Sequence, residues 1–520
     1  MIASDGWKKK AAKQGTPLVN VLLLKPDGGF IYFKVVDTAG EKKTGTAIKD
    51  LHLELAEEVT AGDLSKVLGV VMDNPKANRL ALKLLQEEHP TWICMGCQAH
   101  ALNLLCKDLG NPRLCPGTAA VLKDILTIAL VIGDCERIRT ALREWQRSKF
   151  NGKTKAIAAH CPTRFAITFK IARDVAASKD AFREMVEAEE WADIASSSTN
   201  SAVFEKCKSG EFNGMSWGAH CMSEAVMCLH AALHATVHVR VCMCGCACAV
   251  LAAKLTTLFH QLMHAADWWK KLDWLISLMQ PISDAIHQLE ADRPLLSQVL
   301  GVWEGISADA AAWSTAKTAA FTRGVASTYK ERFSKHYQPE MAAAFVLDPI
   351  NFTKEGDDHY RLPMNSLSED QRGDVADTIL RLNSSPDACA AAVSQELLHL
   401  DMETWSEDMA RRAAYLALKR EEVAEGGRVK IVVATAVQRR QFWARFAAKF
   451  PLTAAAANKL LSAHVTTGAA ERNWSAWGRT YINTRNRLDI ATAQKLIYVK
   501  ANYYHKDLPS DELVALDYSS

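Results

Sequence analysis

Three scarcities narrow what this sequence can be. Charge imbalance is almost absent: 62 Lys and Arg stand against 59 Asp and Glu, a formal net charge of +3. Phosphate binding depends on clustered cations more than on a basic total, so any nucleic-acid surface must be local. No charged stretch followed by an apolar run opens the chain, and the 14 cysteines therefore read as reduced intracellular thiols rather than a secreted disulfide framework. No internal repeat with a period of roughly 20–50 residues is present, which argues against solenoids and propellers.

A local scarcity marks one block as foreign to the rest. Asp is missing from Ala195 to Ala266, while seven cysteines crowd between Cys207 and Cys248 beside His220, His230, His234 and His238. The run Val241 to Phe259 is apolar, but its cysteines, Gly245 and Lys254 argue against a membrane span. Cys242, Cys244, Cys246 and Cys248 alternate, whereas zinc sites present thiolates in pairs two to four residues apart. Residues 207–262 are therefore expected to be an anomalous Cys/His-rich insertion. A cysteine-dependent metal or redox protein is the reading that bound zinc in this block would support.

The remaining composition, 49% hydrophobic and 23% charged, is that of an ordinary globular protein, and 520 residues exceed what one core usually supports. Leu18 to Lys25 and Phe30 to Val36 read as strands joined by the turn Pro26-Asp27-Gly28-Gly29. Ile48, Leu51, Leu55 and Val59 recur at helical spacing. A buried-strand run, Val67 to Met72, ends at Asp73; Lys76 to Glu88 is helical, Thr91 to Cys97 strand-like and Gln98 to Leu109 helical. With the residues before Asp5 as a first strand, the order is β-β-β-α-β-α-β-α. From Val121 to Leu461 the chain reads mostly helical, with Asp267 to Leu289 and Arg323 to Leu347 as long runs and with loops at 356–368 and 424–428. The expected division is 1–120, 121–440 and 441–510.

Asp5 and Asp73 each stand at the end of an apolar run, which puts a carboxylate at a strand terminus. An Asp there is ordinarily a turn or cap residue. Cys94, Cys97 and His100 form C-x-x-C-x-x-H, which looks like half a zinc site without its second pair; a helix-start thiol and a buried histidine are the plainer alternative. Arg472, Arg479, Arg485, Arg487, Lys495 and Lys500 make the densest basic region, suited either to phosphates or to internal ion pairs. Lys8, Lys9, Lys10 and Lys13 form a shorter basic run. Asp489 is placed to cap a helix whose apolar residues Ile490, Ala493, Ile497, Ala501 and Tyr504, widened by Leu496 and Val499, follow helical spacing.

Motifs at both ends carry a resemblance. Ala469-Ala470-Glu471-Arg472-Asn473-Trp474-Ser475-Ala476-Trp477-Gly478, then Arg485-Asn486-Arg487-Leu488 and the helix to Tyr504, resembles the C-terminal dimerisation block of hobo/Activator-type (hAT) transposases. Ser4-Asp5-Gly6-Trp7 and Val70-Val71-Met72-Asp73-Asn74-Pro75-Lys76-Ala77-Asn78 look like the two aspartate motifs of the domain of unknown function in plant-type hAT-like transposases. Pro162-Thr163-Arg164-Phe165 is similar to a Thr-Arg-Trp motif with Phe165 in the Trp place, Trp268-Trp269-Lys270-Lys271-Leu272 to a helix opening with Phe-Trp, and Leu347-Asp348-Pro349 to a family signature.

The resemblance implies an α/β fold, a ribonuclease-H-like (retroviral integrase-type) mixed sheet interrupted by a large all-α insertion, and the element order agrees. In that fold the first strand is central and the fourth lies beside it, bringing Asp5 and Asp73 together. Glu471 is singled out by the resemblance alone, as the third carboxylate of a triad for Mg2+ or Mn2+; His100 is implied to contact the scissile phosphate or order the second strand. The resemblance further implies a homodimer or higher homo-oligomer through Trp474, Trp477, Leu496, Ile497 and Tyr504, transposon-end DNA as partner and a nuclear location; within the basic region, Arg472, Arg479, Arg485 and Arg487 are the candidates for DNA contact, and no membrane partner is expected. Only four residues precede Asp5, so a clipped first strand is expected, and the family's BED-type zinc finger is expected to be missing from this sequence. Two readings compete: a DNA transposase derivative that cleaves and joins strands, and a catalytically inactive or domesticated remnant acting through dimerisation and DNA or protein binding.

Overall fold

The computed structural model describes residues 1–8, 17–159, 166–191, 194, 260–355, 359–402, 406–417, 420–423, 429–432, 434–480 and 489–504. The Pro162–Phe165 motif, nearly all of the Cys/His-rich block, Lys9, Lys10, Lys13, Arg485 and Arg487 lie outside the described residues. Two compact units divide the chain: Met1–Leu102, Ala285–Gly305 and Phe333–Ser520 form one, Asn103–Asp284 and Ile306–Arg332 the other.

The first unit is built on a five-stranded mixed sheet. Strands β1 (Ile2–Lys8), β2 (Pro17–Leu24), β3 (Phe30–Asp37), β4 (Gly69–Met72) and β5 (Ile93–Gly96) lie in the order β3-β2-β1-β4-β5. The β1–β2 and β2–β3 pairs are antiparallel, and β1–β4 and β4–β5 are parallel. The turn after β2 forms because Gly28 and Gly29 take φ of 110° and 74°, which only glycine adopts without strain. Gly69 opens β4 where a Cβ would lie 2.0 Å from the Ile93 carbonyl oxygen.

The expected clipped first strand is corrected by the structure. β1 has seven residues and pairs with β2 along all of them, so Asp5 sits within the strand rather than at its end. Alternate residues of a strand face opposite sides. Ile2 joins the core formed with Val21, Leu55, Val70, Met72 and Leu85, beneath α1 (Gly45–Thr60) and α2 (Lys76–Glu88). Ser4, on that same side, bonds His52 Nε2 at 2.8 Å, and the other ring nitrogen meets the Ile48 carbonyl at 2.7 Å. Burial keeps this imidazole's pKa below its ordinary value. Asp5 belongs to the opposite face.

Helix α3 (Gln98–Leu109) follows β5. In the second unit, α4 (Pro116–Asp134), α5 (Glu136–Lys149), α6 (Ala166–Ala177) and α7 (Lys179–Glu187) pack together. Over Pro116–Gly133, α4 is long and apolar enough to cross a membrane, but 56% of that stretch is buried in the protein, as in a core helix. Then come α8 (Ala266–Leu289), α9 (Leu296–Thr315), α10 (Val325–His336) and α11 (Pro339–Leu347). The run Arg323 to Leu347, expected as one helix, is broken because Gln338 precedes Pro339 and takes φ −138° and ψ 141°; a residue before proline is pushed out of the helical region.

The first unit continues with α12 (Glu369–Leu382), α13 (Ala390–Met402), α14 (Glu407–Ala417), α15 (Ala436–Phe446), α16 (Pro451–Leu460), α17 (Gly468–Thr480) and α18 (Ile490–Tyr504). Part of the expected loop at 356–368 is instead strand, His359–Arg361 paired with Thr353–Glu355, and a 3-10 turn, Pro363–Ser366. The Leu347-Asp348-Pro349 motif is a buried tie: Asp348 accepts from Ser297 Oγ and Arg439, and the Leu347 carbonyl accepts from Trp443.

Candidate functional site

Parallel pairing of β1 with β4 ends at Ser4 and Met72, and the next residues along the two strands are Asp5 and Asp73. Adjacent parallel strands deliver the two carboxylates to the same end of the sheet, although 68 positions separate them in the chain. Asp73 leads into α2, whose Asn78 side chain donates back to its carboxylate. Asn74 Nδ2 donates to the Cys97 carbonyl at 2.7 Å, tying the turn after β4 to the turn after β5.

Glu471 comes to this end of the sheet through contacts across most of the chain. The buried segment 461–467 runs along the start of α3: Gln98 N donates to the Val465 carbonyl at 2.8 Å, and Thr467 N to the Cys97 sulfur at 3.4 Å, across 370 positions of sequence. Glu471 then lies in the first turn of α17, where the positive end of the helix dipole favours an acid. On the sheet side, Asn20, the β2 partner of Asp5, donates to the Ala470 carbonyl at 3.0 Å and to Asn473 Oδ1 at 3.2 Å. Asn20 escaped the sequence reading. Its signal was available: it is the polar residue interrupting the apolar run Leu18 to Leu24.

The electrostatics record the convergence. Burial, then the charges of Glu471 and Asp73, raises the Asp5 carboxyl from 3.8 to about 7, against the opposing Gly6 N–H and Trp474 indole. Burial also raises Asp73, while His100, Asn78 and Lys43 pull it down. The Cys97 thiol is pushed up to about 12, first by burial and then by Glu471. Asp5, Asp73, Glu471 and His100 therefore share one neighbourhood. Cys97 caps α3, its sulfur accepting from His100 N at 3.4 Å. Cys94 packs in the core cluster with α2 residues, so the C-x-x-C-x-x-H spacing does not assemble a joint ligand set.

Hard carboxylate oxygens suit Mg2+ or Mn2+, and a divalent cation would offset both the burial and the acidic neighbours that raise the Asp5 carboxyl. Among the described residues, no three His, Cys, Asp or Glu side chains stand close enough to share one ion as placed. The donor set thus fits a cation by chemistry and charge, not by the distances between its present rotamers.

The other expected site residues separate. Arg472 directs its guanidinium to the Glu290 carbonyl and the Asp292 carboxylate, the internal ion-pair alternative for this residue. Arg479 is exposed on α17. Trp474 and Trp477 are buried, with ring centroids 5.9 Å apart, and the Trp477 indole lies against the Tyr32 hydroxyl. Of the α18 residues, Ile497 is buried and Leu496 is 48% exposed; the side chain of Tyr504 is outside the described residues. Asp489 caps α18 as expected, accepting from Thr492 N at 2.6 Å. Asn502 accepts from Tyr32 N and donates to Tyr32 O, closing part of the free edge of β3, a strand that would otherwise offer unpaired backbone groups.

No curated protein matches the chain. Two family models do, one at each end of this arrangement. Residues 1–132, which contain Asp5, Asp73 and His100, match the domain of unknown function DUF659. Residues 432–503, which contain Glu471 and both tryptophans, match the hAT family C-terminal dimerisation region. Together the two matched regions support a hAT-type transposase-like protein.

Proposed function

We propose that this protein is a hAT-like DNA transposase derivative whose ribonuclease-H-like core cleaves and transfers DNA strands in the nucleus. The observation that carries this reading is geometric: parallel pairing of β1 with β4 sets Asp5 and Asp73 on neighbouring strands, and the bond from Asn20, the β2 partner of Asp5, to the Ala470 carbonyl brings the first turn of α17, with Glu471, to the same place. Asp5, Asp73 and Glu471 would hold Mg2+ or Mn2+, and the bound metal supplies activation of the attacking oxygen and charge stabilisation of the leaving oxygen. His100, beside Asp73, contacts the scissile phosphate. Arg479 holds the DNA backbone, and Arg485 and Arg487, outside the described residues, are assigned the same role. Strand hydrolysis leaves a 3′-hydroxyl, which serves as the nucleophile of the transfer step. The substrate is transposon-end DNA, and the protein works as a homodimer or higher homo-oligomer, in keeping with the family match of residues 432–503.

A second reading is a remnant that keeps dimerisation and DNA or protein binding without turnover; it is the one favoured by the spacing of these acids, since among the described residues no three donors stand close enough, as placed, to share one ion. Nicking of supercoiled DNA separates the two. The parent chain should nick in the presence of Mg2+ or Mn2+, and Asp73→Ala should lower the rate by at least ~100-fold, the scale of losing a group that stabilises the transition state. Equal rates for the two proteins would leave the remnant.

A further inference from the structure

Asn20 is the polar side chain in the otherwise apolar run Leu18 to Leu24, and it is 0% exposed. As the antiparallel partner of Asp5 it stands on the same face of the sheet, with Cβ atoms about 4.5–5.5 Å apart. Its amide nitrogen donates to the Ala470 carbonyl and to Asn473 Oδ1, two acceptors that bracket Glu471 along α17. A carbonyl accepts only from the nitrogen end of a carboxamide, so the Ala470 bond also fixes which way the amide points.

These bonds add little to stability. Ala470 lies inside α17, where the helical ladder already pairs its carbonyl with Trp474 N. Asn20 Oδ1 is buried with no donor, and an unpaired buried acceptor costs about what two ordinary hydrogen bonds return. An aliphatic side chain of the same size would fill the space as well, but apolar contact has no direction and would not set where the first turn of α17 stands against β1. The other ties of this segment reach different neighbours: Thr467 N meets the Cys97 sulfur, and Arg472 meets Glu290 and Asp292. The bond from Asn20 is the one that joins the strand beside Asp5 to the turn that carries Glu471.

We propose that Asn20 is a positioning residue of the carboxylate site, fixing the backbone of Glu471 against the strand of Asp5 so that both acids can take the same divalent cation. The assignment rests on the metal-dependent reading above and runs through Glu471: Asn20 holds the turn, and the Glu471 side chain reaches for the ion from a fixed backbone.

Mn2+ titration of the full chain, followed by the electron paramagnetic resonance of the free ion, measures this without DNA or turnover. Asn20→Leu should weaken Mn2+ by about tenfold or more at unchanged thermal stability, the range for removing a group that orients a metal ligand. In a Glu471→Gln background the same substitution should have no further effect, because the ligand it positions is gone. Asn473→Ala, which removes one acceptor from the helix side, should give a smaller loss that also vanishes in the Glu471→Gln background, and it carries the test if Asn20→Leu does not fold. A folded Asn20→Leu, or Asn473→Ala in its place, that binds Mn2+ like the parent overturns the assignment and leaves the triad standing. So does a loss of affinity that is as large with Glu471→Gln as without it. A parent chain that binds no Mn2+ overturns the triad itself, and the assignment with it.

Discussion

Helices α17 and α18 belong to the same C-terminal family region, yet they place their aromatic side chains in opposite directions. On α17, Trp474 and Trp477 turn inward against the sheet, and Trp477 is 0% exposed. On α18, Leu496, Val499 and Tyr503 form an outward stripe at i, i+3 and i+7, with Tyr498 exposed beside them, while Ala493 and Ile497 hold the helix to the protein. A family name does not say which residues form an interface; burial does. The tryptophans expected to anchor a dimer are buried within the chain itself, and among the described residues of this region the exposed large apolar side chains are those of α18.

The largest expected effect that could break this contrast is at Trp477. Replacing it with Ala should cost about 3–5 kcal/mol, the scale for deleting a buried aromatic side chain, read as a fall in the urea midpoint at constant slope. A variant that kept its midpoint but became monomeric would put Trp477 back at the interface.

The next effect sharpens the α17 side through pH. The Asp5 carboxyl titrates at about 7 in the folded chain against 3.8 unfolded, so the folded state binds the extra proton between those values. Stability is therefore greatest below the unfolded value, falls as pH rises toward about 7, and stays lower above it. Asp5→Asn should stabilise the metal-free protein at about pH 8 by up to a few kcal/mol, and by much less at about pH 4. Melting curves at the two pH values check this. An Asp5→Asn gain that did not depend on pH would mean that burial and the neighbouring charges of Glu471 and Asp73 do not raise the Asp5 carboxyl.

The smallest effect on stability, and the clearest on assembly, is expected from α18. Leu496→Lys/Tyr503→Lys should change the unfolding free energy by no more than ~0.5 kcal/mol, as surface substitutions do. It should weaken self-association by about tenfold or more, because anchors at an interface centre carry most of its energy. Sedimentation velocity across a concentration series reads this. Unchanged association would place the interface elsewhere.

Much of the sheet was legible because strand and turn signals are local. The hairpin 17–37, the helices Lys76–Glu88 and Gln98–Leu109 and the place of β4 beside β1 all follow expectation. The length of β1 was not legible, because Gly6, Trp7 and Lys8 lack an apolar alternation and are held as strand by pairing with β2. Trp474 and Trp477 show the same limit from the other side: an aromatic pair at helical spacing fits an interface or a core equally well, and its partner Tyr32 lies on β3.

Sequence alone determined which segments are strands and helices, because alternation, helical spacing, glycine turns and a proline break act between near neighbours. Tertiary structure alone decided which acids come near one another, which cations are tied up internally and which tryptophans face inward. Those outcomes rest on contacts such as Asn20 with Ala470 and Cys97 with Thr467, which span 450 and 370 positions. No local pattern specifies such a contact, since its energy exists only once both partners have been brought together by the rest of the fold.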